Sequence, residues 1–255
     1  MFERISNITV SRPTVQDFPS LVSQFQATLE AGNTNENIQR IGVLILRHSD
    51  RPVIHNNDTL INEEGINRIY LYREILSSHG IFIDSDFVFS SPVIRCVQTA
   101  ARIACVGESK VQKVRWVTGS PWNLPNKDED LSSRKIWEEM KDEFGSDRAR
   151  EIWLKGGDES KGLSEAHTCG QINYESILEN VLQPLAFRQS QKKSKLVNLD
   201  FTNNEGTVIN PIAICCTHDI CVMGLASIFQ SETTFVPFLG GIFLCYDFDS
   251  EHVIR

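Results

Sequence analysis

Long apolar runs are missing from this chain. No segment approaches the roughly 18 continuous apolar residues needed to cross a bilayer, and the opening residues Met1-Phe2-Glu3-Arg4-Ile5-Ser6-Asn7 lack the apolar core of a signal peptide. The expectation is a cytoplasmic protein without a membrane partner. A disulfide framework is missing too: the seven cysteines are odd in number, sit mostly within apolar or helical stretches and follow no framework spacing, which fits a reducing compartment. Clustered positive charge is scarce. The formal net charge is -8, and the single basic run, Lys192-Lys193-Ser194-Lys195, lies just past a predicted helix, where cations complement the carboxyl-end dipole. Nucleic-acid partners are therefore disfavoured, because backbone binding depends on clustered Lys and Arg. Internal repeats and low-complexity tracts are absent as well.

What is present is enough for a folded core. A chain of 255 residues with 41% hydrophobic content suits one large α/β domain or a core domain with an insertion. Helical spacing of Val15, Phe18, Leu21, Val22, Phe25 and Leu29 predicts a helix from Thr14 to Glu30, and a polar linker leads to a strand from Ile41 to Leu46. A second helix is predicted from about Glu63 to Ser78, closed by Gly80. Phe82 to Phe89 follows as a strand, with Ser91-Pro92 read as an N-cap and first helical residue. Val111 to Val117 is a further strand candidate. The acidic, tryptophan-containing segment 122–170 reads as a helical insertion, either a cap over the site or a merely packed surface helix pair, with helices near Leu131 to Phe144 and Asp147 to Leu154. A helix from Tyr174 to Phe187 contains Pro184 as a kink. A strand to Thr217, a helix from Asp219 to Phe229 and a strand near Ile242 to Phe248 complete the chain. This alternation predicts a mainly parallel sheet covered on both faces, with its site in the crevice at the strands' carboxyl ends.

Three segments place polar residues at that edge. Val43-Leu44-Ile45-Leu46 ends in Arg47-His48-Ser49-Asp50-Arg51; Phe87-Val88-Phe89 ends in Ser90-Ser91-Pro92 and leads to Arg95; Ile212-Ala213-Ile214-Cys215-Cys216-Thr217 ends in His218-Asp219. An imidazole between fixed guanidinium groups suits attack on a phosphate dianion. Arg47, Arg51 and Arg95 can donate in pairs to its oxygens. The same arginines disfavour a second positive charge on His48, which must be neutral to attack. His218 is a candidate donor to the transferring phosphoryl group, and Asp219 a candidate proton donor to the leaving alkoxide, provided its surroundings or the bound phosphate keep it protonated. No metal or other cofactor is required by this scheme, and a small phosphorylated substrate fits an anion pocket in an acidic protein. Oligomeric state is not legible.

Arg47-His48-Ser49-Asp50-Arg51, Ser90-Ser91-Pro92 with Arg95-Cys96-Val97-Gln98-Thr99-Ala100, and His218-Asp219 together resemble the histidine phosphatase superfamily of acid phosphatases and phosphoglycerate mutases. Leu60-Ile61-Asn62-Glu63-Glu64-Gly65 resembles that family's Leu-Thr-x-x-Gly helix start. The resemblance spans about residues 41 to 248 and implies a three-layer α/β/α sandwich. It also implies a nucleophile at His48, phosphate-binding residues at Arg47, Arg51, Arg95 and His218, and an acid-phosphatase-type donor at Asp219. Ser49 stands where the family usually has glycine, and Pro52 follows Arg51 without the usual intervening residue. The family's other branch draws its acid from a glutamate of the inserted segment, so Glu129 or a neighbour competes with Asp219.

The implied activity is metal-independent phosphomonoester hydrolysis through a phosphohistidine. Mutase-type phosphoryl transfer and non-catalytic binding of a phosphorylated ligand are the alternatives. Cys96 through Arg102 has the Cys-x5-Arg spacing of cysteine phosphatases, but a cysteine inside a helix, with no glycine in its spacer, cannot offer the required amide cradle. Cys215, Cys216, His218 and Cys221 raise a zinc site, which opposite-facing strand neighbours disfavour. His55, His79, His167 and His252 are expected to be structural or exposed. Trp116, Trp122, Trp137 and Trp153 are expected to pack, with Trp122 also a candidate substrate contact. Specificity is expected from segment 122–170 and from Phe235 to Gly241.

Overall fold

A computed structural model of the chain describes residues 22–23, 25–27, 38–53, 58–114, 127–155, 166–188, 212–228 and 236–249. In chain order these form β1 (Ile38–Arg47), α1 (Glu63–Ser78), β2 (Ile83–Ser90), α2 (Ile94–Ile103), a 3-10 turn (Glu108–Lys110), β3 (Gln112–Lys113), α3 (Lys127–Phe144), α4 (Ser146–Lys155), α5 (Ala166–Ile177), β4 (Ile212–Thr217), α6 (Asp219–Ile228) and β5 (Gly241–Asp249). The strands make one sheet in the order β3-β2-β4-β1-β5. Four of them run parallel, and β5 pairs antiparallel with β1. The sheet is therefore mixed, with an antiparallel edge that apolar patterning alone does not reveal, since both faces of such an edge are still covered.

Successive strand residues point to opposite faces, and the two faces carry separate cores. Ile41, Val43 and Ile45 of β1, Phe87 and Phe89 of β2, and Ala213 and Cys215 of β4 pack with residues of α3, α4, α5 and α6. Leu44 and Leu46, Val88, and Ile212, Ile214 and Cys216 pack on the other side with α1, α2, Val22 and Phe25. Three layers result. The central strands β1 and β4 are buried on both faces, and each fully buried Leu or Ile there contributes about 1.5–3 kcal/mol.

Local chemistry sets the element ends. Asn62 caps α1 by accepting from the Gly65 amide at 2.8 Å, with Glu63 and Glu64 on the favourable side of the dipole. Gly80, at φ 68°, takes the left-handed turn that follows. α2 starts later than the Ser91-Pro92 signal predicts: Val93 is its cap residue and has no polar side-chain atom to cap with, while the Ser91 hydroxyl accepts from the Val93 amide at 3.4 Å and lies 3.1 Å from His218 Nε2. β3 is shorter than predicted within the described residues, which stop at 114.

The largest departure concerns the helix predicted from Tyr174. It begins at Ala166, widens into a π turn over Leu178–Leu182 and continues through 183–188. The wide turn precedes Pro184, which has no amide hydrogen and whose ring would press on the carbonyl four residues earlier. Gly170 is not the edge of a segment but a helix–helix contact, since a Cβ there would overlap the Gly224 carbonyl oxygen of α6. The predicted amino-terminal helix falls mostly outside the described residues; Val22 and Phe25 lie in the core. Lys192 to Lys195 lies wholly outside them.

Candidate active site

The parallel ladder continues just past the strands. His48 N donates to Thr217 O at 2.9 Å, and Ser91 N donates to Cys216 O at 2.9 Å. Beyond the paired residues Arg47 and Thr217 the chain therefore delivers His48 and His218 side by side. Their rings meet edge to face with centroids 5.5 Å apart. Arg95, second residue of α2, closes the triangle by donating from Nε to His48 Nε2 at 3.1 Å.

That contact fixes the state of His48. Arginine Nε can only donate, so His48 Nε2 must present its lone pair. The proton of the neutral ring is then on Nδ1, which faces the Ser49 carbonyl oxygen at 2.8 Å. His48 is 2% exposed. Burial and then His218 push its pKa down to about 2, the Ser49 carbonyl pulls against them, and Arg95 and Arg47 add smaller downward pushes. The ring is thus a neutral, oriented base with its free pair among cations.

Phe238 is the shelf on which these groups rest. The Arg47 guanidinium carbon lies 4.3 Å from the ring centroid, that of Arg51 lies 5.9 Å away, and the His48 ring is centred 5.6 Å from it. Arg47 also donates from Nη1 to Val236 O, and its backbone amide donates to Gly240 O at 2.8 Å. The strip 236–241 therefore wraps Arg47 through both its main chain and its side chain. Arg51 is half-buried and donates to Pro52 O at 3.2 Å. Burial and the nearby Arg95 and Arg47 draw its pKa down to about 10, a crowding of like charge that an anion relieves.

Asp219 begins α6 among these cations. Its Oδ2 lies 3.7 Å from Arg47 Nη2 and 3.0 Å from Arg150 Nη2, and its Oδ1 accepts from the Ile220 amide at 3.0 Å. Burial pushes its carboxyl up, but Arg47, Arg150 and His218 outweigh burial and hold it below its usual value. In this geometry Asp219 is an ion-paired carboxylate.

His218 Nε2 sits between the Ser91 hydroxyl at 3.1 Å and Cys96 Sγ at 3.7 Å. Cys96 is buried in the first turn of α2 and donates to Thr217 O at 3.5 Å. Burial pushes the Cys96 thiol up, but the Cys216 side chain, His218 and Arg95 outweigh burial and draw its pKa well below the ordinary thiol value; its amide is already bonded to Val93 O within the helix start, so the amide cradle a cysteine phosphatase needs is not formed around it. The Ser49 hydroxyl donates to Gly65 O at 2.9 Å, while its amide donates to Thr99 Oγ1 at 3.0 Å. The serine thus ties the loop bearing His48 to α1 and α2. Gly65 is needed there, since a Cβ would come within 2.6 Å of the Asp50 carbonyl oxygen.

No family model matches the chain, and no curated protein matches it by sequence. Solved structures to which the chain is similar include a phosphoglycerate mutase from Bacillus anthracis, 12% identical, covering 85% of this chain and 96% of its own, with a TM-score of 0.46. A mycobacterial glucosyl-3-phosphoglycerate phosphatase with inorganic phosphate is 14% identical over 78% of this chain and 86% of its own, with a TM-score of 0.41. A protein described as mycobacterial hydrolase 2 is 12% identical over 78% and 79%, with a TM-score of 0.43.

All six residues singled out in the sequence, Arg47, His48, Arg51, Arg95, His218 and Asp219, fall at this one edge. Arg150 and the role of Phe238 do not follow from the sequence. Arg150 looks like any cation on an amphipathic helix; the only hint is its place beside the buried Ala149 and Trp153. Phe238 lies in a strip expected to affect specificity, with nothing to indicate that arginines stack on it. Glu129 lies in α3, and its side chain is outside the description. His79 caps α1 with Nδ1 at 2.8 Å from Ile75 O, while His55, His252, Trp116 and Trp122 lie outside the described residues, as does the side chain of His167. Trp137 and Trp153 pack edge to face in the core. Cys215 and Cys216 belong to opposite cores, no disulfide joins the seven cysteines, and no described helix is long and apolar enough to cross a membrane.

Proposed function

We propose that this chain is a metal-independent phosphomonoester hydrolase of the histidine phosphatase type, acting on a small phosphorylated substrate through a phosphohistidine at His48. The observation that carries this reading is the donation of Arg95 Nε to His48 Nε2, which supports Nε2 as the attacking nitrogen and Arg95 as the cation that meets the phosphate beside it.

An incoming phosphate dianion competes for Arg95 and so uncovers Nε2 as it binds. Arg47, Arg51 and His218 take its remaining oxygens. The Nε2–phosphorus bond forms as the phosphorus–oxygen bond to the alcohol breaks, and Asp219 gives its proton to the departing oxygen. Asp219 can hold that proton because the dianion engages the cations that otherwise keep it ionised. Water, deprotonated by the same carboxylate, then attacks the phosphohistidine, releasing inorganic phosphate and regenerating His48. Segment 122–170 and the strip 236–241 supply specificity, and a reducing compartment such as the cytoplasm suits the cysteines.

The test is hydrolysis of an aryl phosphate in the presence of chelator. His48→Ala should lose at least about 10³-fold in kcat, while Cys96→Ser stays within roughly tenfold of wild type and a phosphoenzyme forms only when His48 is present. Loss of activity with Cys96 instead, or dependence on added metal, overturns the reading.

A further inference from the structure

We propose that Arg150, supplied by α4, is a positioning residue for the leaving-group step: its guanidinium latches Asp219 in an ion pair that must open before that carboxyl can serve the substrate. This rests on the hydrolase reading of the same edge.

The latch joins residues 69 positions apart. Arg150 Nη2 lies 3.0 Å from Asp219 Oδ2, and the two side chains are only 19% and 14% exposed. Water screens such a pair far less than one on the surface. Arg47 approaches the same oxygen only to 3.7 Å, and its guanidinium is committed to Val236 O and to the Phe238 face. Arg150 is thus the nearer partner and the one free of phosphate-binding duty.

The helix cannot carry the latch away. Ala149, Ile152 and Trp153 on either side of Arg150 are buried in the core with α6 and the sheet. Release must therefore be a side-chain motion, and a second resting place exists. Arg150 Nη1 already donates to Asp147 Oδ1 at 2.9 Å, and the Asp147 side chain is 94% exposed. Arg150 Nε is buried without a hydrogen-bond partner among the described residues, so swinging outward also returns that donor to water. Substrate drives the exchange: a dianion on Arg47 and Arg95 adds negative charge beside Asp219, favours its protonation and weakens its hold on Arg150.

The groups facing Asp219 are Arg47 from β1, Arg150 from α4, His218 before α6, and the Ile220 amide within it. Arg51 and Arg95 also feel its charge. Of these, Arg150 alone can be removed without touching the proposed phosphate cage. An acid catalyst works below its pKa, so removing the latch extends activity towards higher pH.

Two measurements decide it. Carboxyl carbon NMR of phosphate-free wild-type protein should place Asp219 below the ordinary carboxylate value, and Arg150→Gln should raise it by about 1–3 pH units. In kinetics, Arg150→Gln should move the alkaline limb of kcat upward for an alkyl phosphate, leave it in place for 4-nitrophenyl phosphate, and Arg150→Lys should restore it. A merely structural arginine would lower kcat for both esters without moving either limb, which overturns the proposal. So does a wild-type Asp219 titrating at or above the ordinary value, a result that needs no variant to fold. Turnover of neither ester by wild type, with the NMR shift intact, removes the hydrolase reading and leaves the ion-pair latch standing.

Discussion

His48 is the nucleophile of the proposed hydrolase, and its buried, neutral state has a cost that can be measured. Its folded pKa, near 2, lies far below the ordinary 6.5. The unfolded chain therefore binds a proton below pH 6.5 that the native ring refuses, and stability falls as pH falls through that window. The slope is about 1.4 kcal/mol per pH unit for a single group. From pH 7.5 to pH 5, wild-type protein should accordingly lose about 2 kcal/mol more than His48→Gln, read from urea denaturation at each pH. An equal loss in both would show that the ring is solvated. Asp219 acts in the same direction at lower pH: its lowered pKa stabilises the fold above the ordinary carboxylate range, and that contribution is lost as pH falls below it. Asp219→Asn should cost about 10²–10⁴-fold in kcat on alkyl phosphates and much less on activated aryl esters; equal losses on the two would exclude it as the proton donor.

Elements hold these residues in register through close backbone contacts. Gly65 lets α1 sit against the loop bearing His48, and Gly170 lets α5 lie on α6 at Gly224. Adding one methyl tests each contact, with different consequences. Gly65→Ala should displace the Asp50 carbonyl and with it the loop bearing His48 and Arg51, costing about 10²-fold in kcat/KM, since small misplacements of reacting groups are expensive. Gly170→Ala lies away from that edge and should instead cost about 1–3 kcal/mol by forcing the helices apart, with kcat per folded molecule nearly unchanged. Thermal melts paired with active-site titration separate the two. Such closeness is invisible in a sequence, where both glycines read as helix punctuation. The N-cap at Asn62, by contrast, is legible because capping is settled within four residues.

Across the whole molecule, α3 and α4 share one core with α5, α6 and the sheet. Trp137 and Trp153 lie in that core with ring centroids 6.2 Å apart. Tryptophan emission, far-UV circular dichroism and catalytic activity should therefore be lost in a single coincident urea transition. An earlier tryptophan transition would mean that 122–170 melts as a separate cap. Inorganic phosphate at 100 times its Kd should raise stability by about 2.7 kcal/mol, and Arg95→Ala should abolish that gain. Most of the architecture is legible beforehand because apolar periodicity is local: α1 spans the residues its spacing predicts, and three strands end where polar residues begin. The antiparallel edge and the early start of α5 are not, since pairing direction and helix–helix contact depend on distant partners.

The sequence by itself determined which chemistry is possible: a histidine and arginines at strand ends, beside His218-Asp219, in an acidic chain without long apolar runs. Only the tertiary structure decided which nitrogen of His48 carries the proton, that Asp219 is ion-paired, and that Phe238 and Arg150 belong to the same edge. The reason is physical. Residue type and period act over a few neighbours, whereas a proton's position and a carboxylate's charge are set by whatever the fold brings within about 4 Å, here from segments up to 189 residues apart.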